Sequence, residues 1–204
     1  MNGPPWDQRL ARVLVGPLKR TPVHPNHLTT IGVILGLTAA VLFAQGDPGL
    51  ADWAALLYMA ALFMDHADGE LARLAGKTSR FGHYYDHAAA VTNYVALFIG
   101  VGFGLEHGVL DGWAAPMGIL AGLSVGAIFA GRLYIEERFG KEMVQQENFA
   151  GFEMEDALYI VGPVTWLDGL VPFLIAACIG APLFLLFVLW QIRRRGRLTA
   201  DGRS

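Results

Sequence analysis

Residues 53–73 read Trp53-Ala54-Ala55-Leu56-Leu57-Tyr58-Met59-Ala60-Ala61-Leu62-Phe63-Met64 and pass directly into Asp65-His66-Ala67-Asp68-Gly69-Glu70-Leu71-Ala72-Arg73. An apolar run of that length reads as a membrane helix, and acids in its last turns mark a site, because ionisable groups inside a span are costly. A second block, Gly82-His83-Tyr84-Tyr85-Asp86-His87, opens the next apolar run. The chemistry therefore sits at a junction between two spans.

Working outward, the rest of the chain has the same character. Hydrophobic residues make up 54% of the 204 residues and charged residues only 16%, well below the roughly one quarter usual for soluble domains. Apolar runs predict six spans near 28–45, 52–74, 86–105, 113–135, 155–168 and 171–192. Six helices of about 20 residues leave only short loops and no room for a separate soluble domain. Turn-like breaks separate them at Gln45-Gly46-Asp47-Pro48-Gly49, Glu106-His107-Gly108, Asp111-Gly112 and Asp168-Gly169.

The expected class is an all-α polytopic membrane protein. Residues 1–27 form a juxtamembrane interfacial segment, 28–192 the six-helix domain and 193–204 a basic cytoplasmic tail. Within the first segment, Trp6, Leu10, Val13, Leu14 and Leu18 recur at helical spacing, with Arg9, Arg12, Lys19 and Arg20 at other positions. That pattern predicts an amphipathic helix at the membrane interface, kinked or ended by Pro17.

All 15 Lys and Arg fall before span one, between spans two and three, around the end of span four, or after span six. The positive-inside rule then places both termini and the acidic junction in the cytoplasm, in a multi-pass cell-membrane protein. An odd number of spans breaks this alternation, which favours six. The net charge of −3 adds nothing, since the placement of Lys and Arg counts here. Cys178 is the only cysteine, which excludes an intrachain disulfide and reads as a small buried hydrophobe. No cleavable signal peptide is expected, because the first long apolar run starts near Leu28 without a cleavage pattern after it.

Asp65 and Asp68 are three apart and share a helical face, and Asp86 enters at the same depth. Three carboxylates gathered there repel unless a cation compensates them, and hard oxygen ligands suit Mg²⁺, Mn²⁺ or Ca²⁺. Gly69, Ala72 and Gly82 beside them allow a flat ligand close to the backbone, while the plain alternative is that they only let helices pack closely. Arg73 pairs either with a phosphate or with one of the aspartates.

This segment resembles the signature of the CDP-alcohol phosphotransferase family, D-x2-D-G-x2-A-R-x8-G-x3-D-x3-D. Asp65, Asp68, Gly69, Ala72, Arg73, Gly82 and Asp86 match seven of its eight fixed positions, and Ala90 stands at the eighth. Pro25-Asn26-His27-Leu28-Thr29 resembles the family's P-N-x-x-T element. The resemblance implies two divalent cations, Mg²⁺ or Mn²⁺, held with the help of Asp65, Asp68 and Asp86. It implies a cytidine diphosphate pocket of Asn26, Thr29, Gly69, Ala72, Arg73 and Gly82. The donor is then a CDP-linked lipid or CDP-alcohol, and the acceptor an alcohol of headgroup or diacylglycerol type. Membrane lipid and no nucleic acid are expected as partners, and a homodimer is compatible with the layout.

In the family the last aspartate binds metal and is the proposed general base, and Ala90 can do neither. Loss of a general base alone costs roughly 10²–10⁴ in rate. Two origins fit. One is an Asp-to-Ala change introduced to trap a complex, which the intact remainder of the motif favours, and the other is a natural non-catalytic relative. His83 shares a helical face with Asp86 and position 90 and is a substitute base or ligand; the plain alternative is an interfacial histidine bonded to water or phosphate. His66 also lies close by, and His87 faces elsewhere.

For the acceptor, Asp86, His87 and Asn93 resemble the D-H-x-x-D-x-x-N of choline and ethanolamine phosphotransferases, apart from position 90. Glu136, Glu137, Glu153, Glu155 and Asp156 could attract an ammonium group. Arg132, with Arg138 further out, could instead bind an acceptor phosphate, and Arg138 could equally anchor to anionic lipid. Three function classes follow: a phosphotransferase of lipid synthesis, a non-catalytic CDP-lipid binder or partner subunit, and a cation transporter. Carboxylates at one membrane face argue against the transporter, whose site lies near the midplane.

Overall fold

The computed structural model describes residues 6–140 and 155–201. Lys141, Glu153 and Arg203, and the side chains of Glu155, Asp156, Arg195 and Arg197, lie outside the described set. Among the described residues seven α-helices run in chain order: α1 (Trp6–Val15), α2 (Pro25–Ala44), α3 (Pro48–Ala75), α4 (Arg80–Gly104), α5 (Ala114–Phe139), α6 (Val161–Trp166) and α7 (Leu170–Asp201). No strand occurs among the described residues. Among the described residues, four stretches are long and apolar enough to cross a membrane: Pro25–Ala44, Arg80–Gly104, Asp111–Arg138 and Leu170–Arg194.

The helices begin and end where local chemistry dictates. Proline occupies the first turn of α2 and of α3, where a missing N–H costs nothing. His24 and His27 cap the start of α2 reciprocally, and the Asp47 side chain accepts from the Leu50 N–H at the start of α3. α1 stops at Val15 and a 3-10 turn over Gly16–Arg20 replaces it, because Pro17 has no N–H to continue the ladder.

Two expected spans differ from what is observed. α3 has 28 residues, but Asp52 near one end and Asp65, Asp68 and Glu70 near the other dilute its apolar run, so it is not among the four membrane-length stretches. Over 155–168 the chain forms a 3-10 helix, Glu155–Ile160, and then α6, of six residues each. Together they fall short of the about 20 residues that a crossing needs. Pro163 in α6 lacks an N–H donor, and Asp168 closes the segment at φ 54°.

α2 is the centre of the packing, with α3 on one side and α4 on the other; α5 covers α4, and α7 covers α5. The main buried cluster includes Phe43, Tyr58, Leu62, Tyr94, Leu97, Val101 and Leu174. α2 and α4 approach until a methyl group on Gly100 would overlap the Ala40 carbonyl, the small-residue contact usual for membrane helices. α1 lies across the last third of α3, with Ala11 and Val15 buried against Ala67 and Leu71, while Val13 on its other side is exposed.

Candidate active site

The signature spans a helix end, a short loop and a helix start. α3 terminates at Gly76, which takes the left-handed conformation at φ 64° that a residue without a Cβ adopts freely. Ser79 then caps α4 by accepting from the Gly82 N–H at 2.9 Å. α4 therefore begins at Arg80, earlier than the expected 86. Gly82 and His83 fall in its first turn and Asp86 in its second.

The ends of α2, α3, α4 and α5 border an open cavity of about 700 Å³. Of the residues expected from sequence, Asn26, Thr29, Asp68, Gly69, Ala72, Arg73, Gly82, His83 and Asp86 line it. Asp65 is not among the lining residues, but its carboxyl is within hydrogen-bonding reach of Asp86. Ala90 and Arg132 are not part of the wall. Ala90 packs against the main apolar cluster, and the Arg132 guanidinium lies 6.0 Å from the Phe129 ring centre.

Asp68 is buried, 3% exposed, and the Thr29 hydroxyl donates to its Oδ2. Thr29 thus aims a carboxylate, a role beyond the cytidine contact that the family resemblance implies. Asp86 Oδ1 is buried and has no hydrogen-bond partner among the described residues. An orphaned carboxylate oxygen beside a second carboxyl is unfavourable without a proton or cation to share. By chemistry, then, Asp65, Asp68 and Asp86 fit a hard divalent cation. They are not yet arranged as a shell: among the described residues no three His, Cys, Asp or Glu side chains are gathered tightly enough to hold a metal ion.

Several site residues were not singled out by sequence reasoning. Glu70 is buried, 4% exposed, and accepts from Arg73 Nη2 at 2.8 Å. Arg73 therefore finds Glu70 as its carboxylate partner, where an aspartate or a phosphate was expected. The i, i+3 spacing of Glu70 and Arg73 was the available signal. Lys77 donates from Nζ to the Thr21 and Val23 carbonyls at 3.3 and 2.9 Å, tying the end of α3 to the strap before α2. No sequence pattern announces that contact, because it joins residues more than 50 apart.

On the α5 side, His83 Nε2 lies 3.6 Å from Glu136 Oε1, and the Tyr84 hydroxyl donates to Glu137. The His83 and His87 rings are 4.9 Å apart between centres. His66 stacks with Tyr159, from the segment over 155–160. Histidines from two helices thus crowd the same end of the bundle as the carboxylates.

Residues 22–192 match the CDP-alcohol phosphatidyltransferase family. The chain belongs to this family of membrane transferases of phospholipid synthesis, whose members generally use divalent cations. Archaetidylinositol phosphate synthase of Pyrococcus horikoshii is 32% identical over 82 residues, which cover 40% of this chain and 42% of that one. Cholinephosphotransferase 1 of Danio rerio is 29% identical over 101 residues, 46% of this chain and 26% of that one. The matched segments thus span less than half of either relative. A Mycobacterium tuberculosis phosphatidylinositol phosphate synthase with CDP-DAG bound has a similar fold, with a TM-score of 0.63 and 19% identity. That match covers 89% of this chain and 94% of that one.

Proposed function

We propose that this chain is a transferase fold that binds a CDP-linked donor in the cavity and moves its substituted phosphate to an alcohol. The observation carrying this reading is the gathering of the signature residues from three helix ends around one cavity of about 700 Å³. In the reaction an acceptor hydroxyl oxygen attacks the donor phosphorus, a new P–O bond forms, and the P–O bond to CMP breaks. Asn26 and Gly82 border one part of the wall and Gly69, Ala72 and Arg73 another, and together they hold the cytidine diphosphate.

Asp65, Asp68 and Asp86 hold the divalent cations, Mg²⁺ or Mn²⁺ at two sites. When bound there, such ions offset charge on the phosphoryl group. The acceptor's proton needs a base, and Ala90 supplies none. That observation favours a second reading, a non-catalytic CDP-lipid binder or partner subunit. His83, paired with Glu136, is the candidate substitute. Arg132 is the candidate contact for an acceptor that carries phosphate, and Glu136 and Glu137 for one that carries an ammonium group.

The placement of the Lys and Arg supports both termini and the site lying in the cytoplasm, and a count of six crossings in which the two short helical pieces over 155–166 stand in for a full-length fifth span. Residues 1–27 then lie at the membrane interface, 28–192 form the membrane domain and 193–204 the basic tail. Carboxylates at helix ends, away from mid-span, disfavour a cation transporter.

The deciding experiment measures CDP-donor binding and CMP release for the chain as written and for Ala90→Asp. Purified protein is given a panel of choline, ethanolamine, serine, glycerophosphate and inositol phosphate. CMP release by Ala90→Asp supports the transferase. Donor binding without release by either protein favours the binder, and no binding of any CDP donor sinks both. Cysteine labelling that found residues 76–80 outside the cell would overturn the topology.

A further inference from the structure

Glu70 sits where a carboxylate is expensive: it is buried at the junction of α1 and α3, with its side chain 6% exposed. Two arginines offset that cost. Arg73 donates from Nη2 to Oε1 at 2.8 Å, and Arg12 on α1 donates from Nε to Oε2 at 3.2 Å. Each carboxylate oxygen therefore has its own guanidinium. Arg73 also lines the cavity, and its guanidinium lies over Gly69, 3.6 Å from where a Cβ would stand. Glu70 and Arg12 do not line the cavity.

The arrangement has a geometric and an electrostatic consequence. An arginine side chain more than half exposed samples many rotamers, and tethering one Nη leaves its other donors in a fixed direction. One carboxylate between two guanidiniums leaves the trio with one net positive charge. A lone Glu70–Arg73 pair would be neutral and would hold an anion less well. The docking of α1, fixed by Ala11 and Val15 against Ala67 and Leu71, brings in the second arginine.

We propose that Glu70 is a positioning residue that holds Arg73 at the cavity wall for the diphosphate of the ligand, and that Arg12 makes α1 an electrostatic part of that site without touching the ligand. This inference rests on the donor reading above for the ligand's chemistry.

The test is calorimetric titration of the full chain in detergent, with Mg²⁺ present, using CDP, CMP and inorganic pyrophosphate as probes. Glu70→Gln is expected to weaken CDP and pyrophosphate about tenfold, the scale of one charge-assisted hydrogen bond, and CMP less, because losing the fixed direction of Arg73 outweighs the positive charge that the change uncovers. In an Arg73→Gln background the same Glu70→Gln change should alter CDP affinity less than about twofold, because the group it positions is gone. Arg12→Gln is expected to weaken CDP about three- to fivefold.

An equal loss from Glu70→Gln in both backgrounds would show that Glu70 supports the fold and not Arg73, overturning the proposal. Unchanged or tighter CDP binding by Glu70→Gln would overturn it too. If Glu70→Gln does not fold, Glu70→Asp takes its place in the same cycle, and unchanged CDP affinity in Arg12→Gln refutes the role of α1. A parent chain that binds pyrophosphate but not CDP contradicts the cytidine donor while Glu70 is still judged on pyrophosphate. Binding of neither probe overturns both.

Discussion

Where α2, α4 and α5 cross, a methyl group on Gly100 would overlap the Ala40 carbonyl, and one on Gly118 would overlap the Phe98 carbonyl. Beside the cavity, a methyl on Gly69 would meet only the Arg73 guanidinium, at 3.6 Å, an ordinary van der Waals contact. The first two glycines are required by neighbouring backbone. The third is not required by any packing, yet it sits on the cavity wall and costs helix stability relative to alanine. The same residue type thus serves helix contact in one region and leaves room for a ligand in the other. From sequence alone the two uses could not be told apart.

Position 90 lies between these regions and gives the largest test. Ala90 packs on the apolar cluster, while Asp86, one turn earlier, lines the cavity. Ala90→Asp should raise CMP release at least roughly 10²-fold, the low end for a general base, with donor affinity little changed. Such a split would show that the missing group acts in the transition state. The same variant should unfold at lower temperature, since it places a carboxylate against apolar side chains.

The packing region is broken most directly by Gly100→Ala. Overpacking against a carbonyl should destabilise the bundle by about 1–3 kcal/mol, read as a lower midpoint in thermal unfolding in detergent. Gly69→Ala should do the reverse. Stability should hold or rise by up to about 1 kcal/mol, while CDP affinity falls on the order of tenfold as the methyl group intrudes on the ligand's space. A Gly69→Ala variant that unfolded as readily as Gly100→Ala, with unchanged CDP binding, would erase the distinction.

Thr29→Val gives the smallest effect. It keeps the shape of the side chain while removing the hydroxyl that donates to Asp68. One hydrogen bond is worth about 1 kcal/mol, so Mg²⁺-dependent CDP affinity should drop about fivefold. Mg²⁺-independent binding should stay unchanged. An equal drop with and without Mg²⁺ would mean that Thr29 serves the nucleotide rather than the carboxylate.

Much of the site was legible because its residues are local in the chain. Asp65, Asp68, Gly69, Ala72 and Arg73 lie within three turns of one helix, and Gly82 and Asp86 within two turns of the next, so spacing alone implies shared faces. Asn26 and Thr29 were legible only through the resemblance of their short element. Over 155–168 one apolar span was expected and two short helical pieces are observed, a difference that apolar composition does not register.

By itself, the sequence determined that the chain is helical and apolar, that its acids cluster at one junction, and that position 90 lacks a carboxylate. Each of these depends on residue type and on spacings within a turn or two. The tertiary structure alone decided which groups meet across the chain. It showed that Glu70 lies between Arg73 and Arg12, 58 residues away, that Lys77 grips the strap before α2, and that Glu136 and Glu137 reach His83 and Tyr84. Contacts of that kind depend on how the helices cross, and crossing is set by small residues and shape, which leave no periodic trace in the sequence.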